Sequence, residues 1–260
     1  MITLALDLVR SRKIMIAGIC AGLLLLSIGY LALYPSLEDQ LRSMAEDLPD
    51  AYKAVLGDAD LASPEGYIRS QVYSLIAPLL IAGACISAGA SLARAERDQT
   101  LAVFAVTPLS RRQLAGAWWL FVGLIASIGA LATTVGVVIG SPLAGAEVSV
   151  GRIIAATIPL LLFGLVSGGV ALLTSTITGA PGAATGMGWL SIVLAFIANS
   201  LAELIDSLSW LTNLNPWSWH GAGSAITGDA NATGLNLLVI AAVVLGAGAI
   251  ARFDRRNLHF

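Results

Sequence analysis

RAERDQTLAVFAVTPLSRR, residues Arg94 to Arg112, is the stretch that decides how this chain folds. It is a long polar segment, with one hydrophobic run before it and another after it. Four of its residues are arginines, and short loops rich in arginine and lysine stay on the cytosolic side of a membrane. We therefore expect residues 93–113 to form a cytosolic loop between two membrane-spanning helices.

The composition agrees with a chain that lies mostly in a membrane. Of its 260 residues, 57% are hydrophobic and 12% are charged, whereas soluble domains carry about 25% charged residues. A membrane-spanning helix needs about 20 mainly apolar residues, and six segments meet this requirement. The expected spans are residues 14–34, 67–92, 114–140, 153–177, 183–202 and 235–251. The sequence thus predicts an all-α integral membrane protein with a single transmembrane domain over residues 1–260.

The basic residues are distributed unevenly along the chain. Of the 14 basic residues, ten lie near the N-terminus, in the 93–113 loop or near the C-terminus. Arginine predominates over lysine, a bias associated with GC-rich bacterial genomes. Because positive loops stay inside, we expect a multi-pass protein of the plasma membrane with both termini in the cytosol. The ten residues are Arg10, Arg12, Lys13, Arg94, Arg97, Arg111, Arg112, Arg252, Arg255 and Arg256.

The first outer segment, residues 35–66, carries a helical pattern that ends at Pro49. Its apolar residues recur at helical spacing on one face. An interfacial helix on the outer leaflet and a gate over an exit path both fit this pattern. Further on, Ser63-Pro64-Glu65 predicts the start of the second span, with Ser63 as the N-cap and proline at the first helical position. The apolar residues of the pattern are Leu37, Leu41, Met44 and Leu48.

The second outer segment, residues 203–234, is rich in tryptophan. Trp210, Trp217 and Trp219 flank the turn residues Asn215-Pro216. Tryptophans favour the boundary between membrane and water, so an aromatic belt is the default interpretation. A short re-entrant hairpin near an exit path is the alternative.

No catalytic or nucleotide-binding site is recognisable in the sequence. The phosphate-binding motif G-x-x-x-x-G-K-[ST] and the zinc motif H-E-x-x-H are both absent. The interiors of the spans hold almost no ionisable residue, although ion-driven carriers need such residues. The nearest acids, Glu203 and Asp206, lie at the outer end of the fifth span. We expect no cofactor or metal on this chain, and any uphill transport must draw energy from another protein.

The 93–113 loop has its own local signals. The stretch 96–106 favours a short amphipathic helix that continues the second span, and Pro108 ends it because a residue before proline avoids helical angles. Ser110 and Gln113 match a capping box, in which each side chain bonds to the backbone of the other residue. The loop would then be a rigid lever that moves the second and third spans together.

At these residues the chain resembles a known family. Residues 96–112, ERDQTLAVFAVTPLSRR, resemble the E-x-x-G-T-L-x-x-L-L-x-T-P-V-S-R-R segment of ABC-2 type transporter permeases. The stretches 63–67, SPEGY, and 253–258, FDRRNL, are similar to further motifs of antibiotic-exporter members. Two positions depart from the family pattern, because Gln99 replaces a frequent glycine and Asn257 replaces an aspartate.

The resemblance implies a six-helix, type V exporter-like permease fold in which the 93–113 loop is a coupling helix against an ABC ATPase. ATP and Mg²⁺ would be bound by that ATPase, and a second permease, identical or a sister protein, would complete the assembly among membrane lipids. Nucleic acid is not an expected partner. The solute would be a hydrophobic or amphipathic drug, antibiotic or lipid-like molecule, moved outwards. The implied coupling-loop residues are Arg94, Glu96, Thr100, Leu101, Phe104, Pro108, Ser110, Arg111 and Arg112.

Several residues keep two interpretations. Arg111 and Arg112 fit simple topology anchoring as well as ATPase contact. Glu96 fits a solvated helix residue as well as a residue at the ATPase interface. A glycine-rich stretch opens the fifth span and fits tight helix packing, or a hinge or translocation path facing a dimer axis. It comprises Gly182, Gly186, Gly188 and Trp189.

Two other classes of protein compete with a transporter. A membrane anchor or assembly factor that transports nothing would bind no ATPase. An intramembrane enzyme would need a polar cluster at membrane depth, which the sequence does not offer.

Overall fold

The computed structural model describes residues 1–47, 63–100 and 110–256, and this part of the chain is all-helical. Three short 3₁₀ segments, Ser141–Ala144, Asp206–Leu214 and Gly221–Gly223, connect the α-helices. The helices are α1 (Ile2–Ser11), α2 (Lys13–Asp47), α3 (Pro64–Arg97), α4 (Arg111–Gly140), α5 (Val150–Thr178), α6 (Pro181–Leu204), α7 (Pro216–His220), α8 (Ser224–Thr227) and α9 (Ala232–Asp254).

Six helices in the described part of the chain are long and apolar enough to cross a membrane. They are α2, α3, α4, α5, α6 and α9, and each predicted span falls within one of them. The expectation of an all-α protein with six spans is therefore confirmed.

Over residues 35–47, helix α2 corrects the interpretation of a separate interfacial helix, whereas the gate over an exit path stays a prediction. The helix continues through Pro35 to Asp47. Its 35 residues extend over about 52 Å at roughly 1.5 Å per residue, beyond the roughly 30 Å of hydrocarbon in a bilayer. The Ser36 hydroxyl donates to the carbonyl of Leu33 at 2.7 Å, next to Pro35. The expected helix end at Leu48 and Pro49 lies outside the described residues.

Helix α3 begins where the sequence predicted. The Ser63 hydroxyl accepts a hydrogen bond from the amide of Gly66 at 3.1 Å, with Pro64 at the first helical position. The next stretch, Ile68–Ile76, is a π-helix of nine residues before regular α-helix resumes at Ala77. Tyr67 packs against Tyr34 with ring centroids 5.1 Å apart, which fixes the start of α3 on α2.

The centre of the bundle is the crossing of α3 with α5. Gly89 and Gly168 face each other there, and a methyl group on Gly89 would overlap the carbonyl oxygen of Gly168. The Ser175 hydroxyl donates to the carbonyl of Gly89 at 3.1 Å. On the other side of α3, the indole of Trp118 in α4 donates to Ser91 at 3.0 Å. Small residues thus let the backbones approach closely, as is usual between membrane helices, and hydroxyls join them.

The periphery of the bundle is formed by α2, α6 and α9. Their outer faces expose large apolar side chains, including Leu25, Leu194 and Val243. Exposed apolar surface of this extent is what lipid or another membrane chain covers.

The α3–α5 crossing gives a first prediction. We expect Gly89→Ala to lower the free energy of unfolding by about 1–3 kcal/mol, because the added methyl group meets backbone that has no room to move. Gly18→Ala is the matched control, since nothing lies within 4 Å of a methyl group at that position. Thermal unfolding in detergent measures both, and equal transition temperatures for the two variants would contradict the tight crossing.

Candidate functional site

Four helix ends meet at one end of the bundle, which we call the terminal face. It comprises the last turns of α3, α5 and α9 and the first turn of α4. Both ends of the 93–113 loop start from this face, because α3 ends at Arg97 and α4 begins at Arg111. The loop interior, residues 101–109, lies outside the described residues, and with it Leu101, Phe104 and Pro108.

Arg256 joins three of these helix ends. Its Nη1 lies 3.0 Å from Oε2 of Glu96 at the end of α3, and both side chains are 20% exposed. The same nitrogen donates to the carbonyls of Ser175 at 3.3 Å and Thr176 at 3.5 Å in the last turn of α5. Carbonyls at a helix C-terminus carry partial negative charge, so the guanidinium is surrounded by acceptors.

The chain around Arg256 also holds the first turn of α4. Nη1 of Arg111 donates to the carbonyl of Arg256 at 2.7 Å. Arg112 pairs with Asp254 at 2.9 Å, and this pair is more exposed. We call the set Glu96, Arg111, Ser175, Thr176 and Arg256 the Arg256 junction. It links both ends of the 93–113 loop to α5 and to the chain that follows α9.

Gly179 makes room for the junction. It ends α5 with a left-handed φ of +66°, and a side chain on it would collide with the guanidinium of Arg256. Glycine adopts this conformation at little cost. Because α6 begins at Pro181, the turn between α5 and α6 packs directly under Arg256.

The sequence missed Arg256 as a functional residue. It appeared only within the 253–258 motif and the count of basic residues. Glu96, which the resemblance implies near an ATPase, pairs with Arg256 within the chain, and its position near an ATPase stays a prediction. The closing motif was the one signal that could have led to the junction.

The loop departs from the predicted helix at its start. Residues 96–106 were expected to continue α3, but the helix ends at Arg97 and the chain turns at 98–100. Gln99 has a φ of +55° and is the one non-glycine residue with positive φ in the described part of the chain. The left-handed conformation breaks the helix where the resembling family often has glycine. The Thr100 hydroxyl closes the turn by donating to the carbonyl of Ala95 at 3.0 Å.

The far end of the loop follows the prediction. Ser110 accepts from the amide of Gln113 at 3.2 Å, and the amide of Ser110 donates to the Gln113 side chain at 2.9 Å. The capping box is therefore confirmed. Among the other expected loop residues, Arg94 is half-buried and Thr100, Ser110, Arg111 and Arg112 are exposed.

The glycine-rich start of α6 divides into two environments. A methyl group on Gly188 would touch Ile86 of α3, and the Trp189 ring covers Gly83 of the same helix. A methyl group on Gly182 or on Gly186 would meet nothing within 4 Å, so these two residues lie on the open side of α6. The helix is continuous through all four positions, and their role as a hinge stays a prediction.

The opposite end of the bundle, the distal face, carries the tryptophan-rich segment. Trp217 is 6% exposed, and its ring packs edge-on against Phe163 and Phe196 at 5.4 and 5.2 Å. Asn215 fastens the segment, because its side chain donates to the carbonyl of Ala195 at 2.7 Å and caps α7. Trp210 is 55% exposed. An aromatic belt therefore does not describe Trp217, which lies in a short helix inserted between α5 and α6.

His220, at the end of α7, is buried beside Phe163 with ring centroids 5.5 Å apart. Burial lowers the pKa of His220 to about 4, so the imidazole is neutral at about pH 7. His220 therefore adds no positive charge to the tryptophan-rich segment or to the distal face.

A cavity of about 880 Å³ opens at the distal face, and we call it the distal cleft. Its walls are the π-helical part of α3, the last turns of α6 and the segment that contains α7 and α8. Half of its lining residues carry hydroxyl or amide side chains, and Arg69, Glu203 and Asp229 are its charged residues.

In the part of the chain that the structure describes, the bundle of six long apolar helices defines a multi-pass membrane protein. Comparison with protein families identifies the group. Residues 2–253 match the family described as "Multidrug efflux system permease Rv1217c, C-terminal domain", and the chain belongs to this family. The expected class, an efflux permease and thus a transport protein, is confirmed, whereas the ABC-2 assignment stays a prediction. Comparison with curated proteins gave no significant match.

The Arg256 junction gives a second prediction. In a double-mutant cycle, we expect Glu96→Ala and Arg256→Ala to show a coupling energy of about 1–3 kcal/mol, because the pair is largely shielded from water and joined by a charged hydrogen bond. The matched control is the more exposed pair Arg112 and Asp254, with an expected coupling below about 1 kcal/mol. Unfolding in detergent measures both cycles. Additive effects for Glu96 and Arg256 would mean that the contact does not stabilise the face.

Proposed function

We propose that the chain is the membrane-spanning subunit of an ATP-binding-cassette exporter of the ABC-2 type. It would move a hydrophobic or amphipathic solute, such as a drug, an antibiotic or a lipid-like molecule, out of the cell. Membership of a multidrug efflux permease family supports the transport role. The observation that carries the ATP-driven part is the Arg256 junction, because it connects both ends of the 93–113 loop to the membrane helices.

The charge distribution supports a cytosolic terminal face. Arg94, Arg97, Arg111 and Arg112 lie at the two ends of the loop, and Arg256 lies between them. Short segments with this excess of arginine stay inside. The terminal face would then meet a soluble motor protein in the cytosol, and the distal face would open outside.

An external motor is favoured because the membrane interior of this chain holds little charge. Carriers driven by protons or sodium ions bind and relay charge through ionisable residues within their spans. Here Glu96 and Glu203 lie at helix ends instead. The partner ATPase would bind ATP and Mg²⁺, and this chain would convert movement of the loop into movement of helices.

The junction supplies a route for that movement. A push on the loop displaces the end of α3 and the start of α4, and Arg256 transmits it to the last turn of α5. The turn at Gly179 lies against Arg256 and leads into α6. Packed interiors shift as units because they have few voids, so four helices would move together.

The loop residues then divide into two roles. Glu96 faces into the chain and would position the loop, whereas Thr100 and Arg112 are exposed and would meet a partner surface. A second permease chain, identical or a sister protein, would cover part of the exposed apolar surface of α2 and α6. Lipid would cover the remainder.

The third prediction tests the partner. Tagged chain purified in mild detergent from its native host should recover an ATPase in stoichiometric amount. We expect Thr100→Arg and Leu101→Asp each to reduce the recovered ATPase at least about tenfold, which corresponds to about 1.4 kcal/mol of binding free energy. The control is Asp206→Lys, an exposed position on the distal face, which should recover as much ATPase as the unaltered chain.

Size-exclusion chromatography of each variant separates loss of binding from loss of folding. A purified, monodisperse chain without any ATPase would contradict the proposal. So would loop variants that recover the ATPase as well as the Asp206→Lys control does.

A further inference from the structure

The distal cleft has the dimensions of a site for a small molecule. Its volume of about 880 Å³ falls in the range of about 300–1,000 Å³ typical of ligand pockets. It is bounded by three separate parts of the chain, and its lining combines apolar, hydroxyl, amide and charged side chains.

One wall of the cleft is the π-helical stretch Ile68–Ile76 of α3. The Ser74 hydroxyl donates to the carbonyl of Arg69, five residues earlier, at 2.9 Å. π-Helical geometry is rare and frequently marks functional sites. In this chain the π-helical stretch contributes Arg69, Ser70, Gln71 and Ser74 to the lining of the cleft.

The opposite wall combines an apolar surface with a positioned carboxylate. Phe196 and Trp217 pack edge-on and line the cavity. Further along α6, the side-chain amide of Asn199 donates to Oε1 of Glu203 at 2.7 Å, which orients the carboxylate. An amphipathic molecule could therefore place its apolar part on Phe196, which is 39% exposed, and a charged part near Glu203.

The charges of the cleft favour a cation. Glu203 and Asp229 are acidic, and Arg69 is the single basic residue of the lining. Among the described residues, no ion pair includes any of the three. A concave surface with an excess of one charge concentrates solutes of the opposite charge.

We propose that the distal cleft binds cationic amphipathic solutes, with Glu203 and Asp229 attracting the positive charge and Phe196, supported by Trp217 behind it, contacting the apolar part. Binding itself requires no ATPase. The statement that these solutes are the exported substrates rests on the proposed function above.

The fourth prediction measures binding directly. The full chain, in nanodiscs of phosphatidylcholine, is titrated with ethidium as the cationic probe and with N-phenyl-1-naphthylamine as a neutral aromatic probe, and empty nanodiscs are subtracted. We expect Glu203→Gln and Asp229→Asn each to raise the Kd for ethidium about threefold or more, as expected for exposed ionic contacts. The neutral probe should bind equally to all these proteins.

Two further variants keep the experiment decisive. Asp206→Asn removes an acid of the distal face that does not line the cleft, and it should leave the Kd for ethidium unchanged. Ser200→Trp places a large ring in the cavity and should weaken both probes. The proposal is overturned if the double variant of Glu203 and Asp229 binds ethidium like the unaltered chain, or if Asp206→Asn weakens binding to the same extent.

The binding measurement uses neither ATP nor a partner. If ethidium binding depends on Glu203 and Asp229 but the chain recovers no ATPase, the binding site stands and the exporter mechanism is overturned. If the chain recovers the ATPase but ethidium binding does not depend on these two residues, the exporter mechanism stands and the binding site is overturned.

Discussion

The guanidinium of Arg256 is the interaction on which the terminal face depends. It lies between the carboxylate of Glu96 and two carbonyls at the end of α5, while the Arg256 carbonyl accepts from Arg111. Arginine suits this position because its planar group offers five donors and stays charged. A single residue just after the last membrane helix thereby holds three other helix ends, and Gly179 supplies the space it needs.

The terminal face and the distal face of the bundle differ in the kinds of contact that they contain. At the terminal face the contacts are charged and join helix ends, whereas the distal face encloses a polar cavity beside an inserted tryptophan helix. Between them, the α3–α5 crossing packs backbone on backbone at Gly89 and Gly168. Under the proposed function, a movement that starts at the junction would travel along these closely packed helices towards the distal face.

The sequence predicted the features that depend on neighbouring residues. The six spans follow from runs of apolar residues, and the caps at Ser63 and Ser110 follow from side chains that reach backbone amides three residues away. The Arg256 contact joins residues 160 positions apart, so no local pattern indicates it. The continuation of α2 through Pro35 and the burial of Trp217 likewise depend on tertiary packing, which outweighs the local preferences of proline and tryptophan.

The two candidate sites, the 93–113 loop and the distal cleft, also differ in how far local sequence predicts them. The loop was recognised through its residues and its resemblance to a family, but Gln99 hid the helix break because its left-handed conformation is common for glycine and rare for glutamine. The distal cleft could not be read from the sequence, since its walls come from α3, α6 and the α7–α8 segment.

The most direct test of the central claim, that the Arg256 junction transmits loop movement to the membrane helices, is the number of solute molecules moved per ATP hydrolysed. It is measured in proteoliposomes that contain the purified permease–ATPase complex. For Arg256→Ala, ATP hydrolysis should persist while solute moved per ATP falls severalfold, and adding Glu96→Ala should lower the ratio little further because both side chains act in one contact. An unchanged ratio in Arg256→Ala would contradict the account.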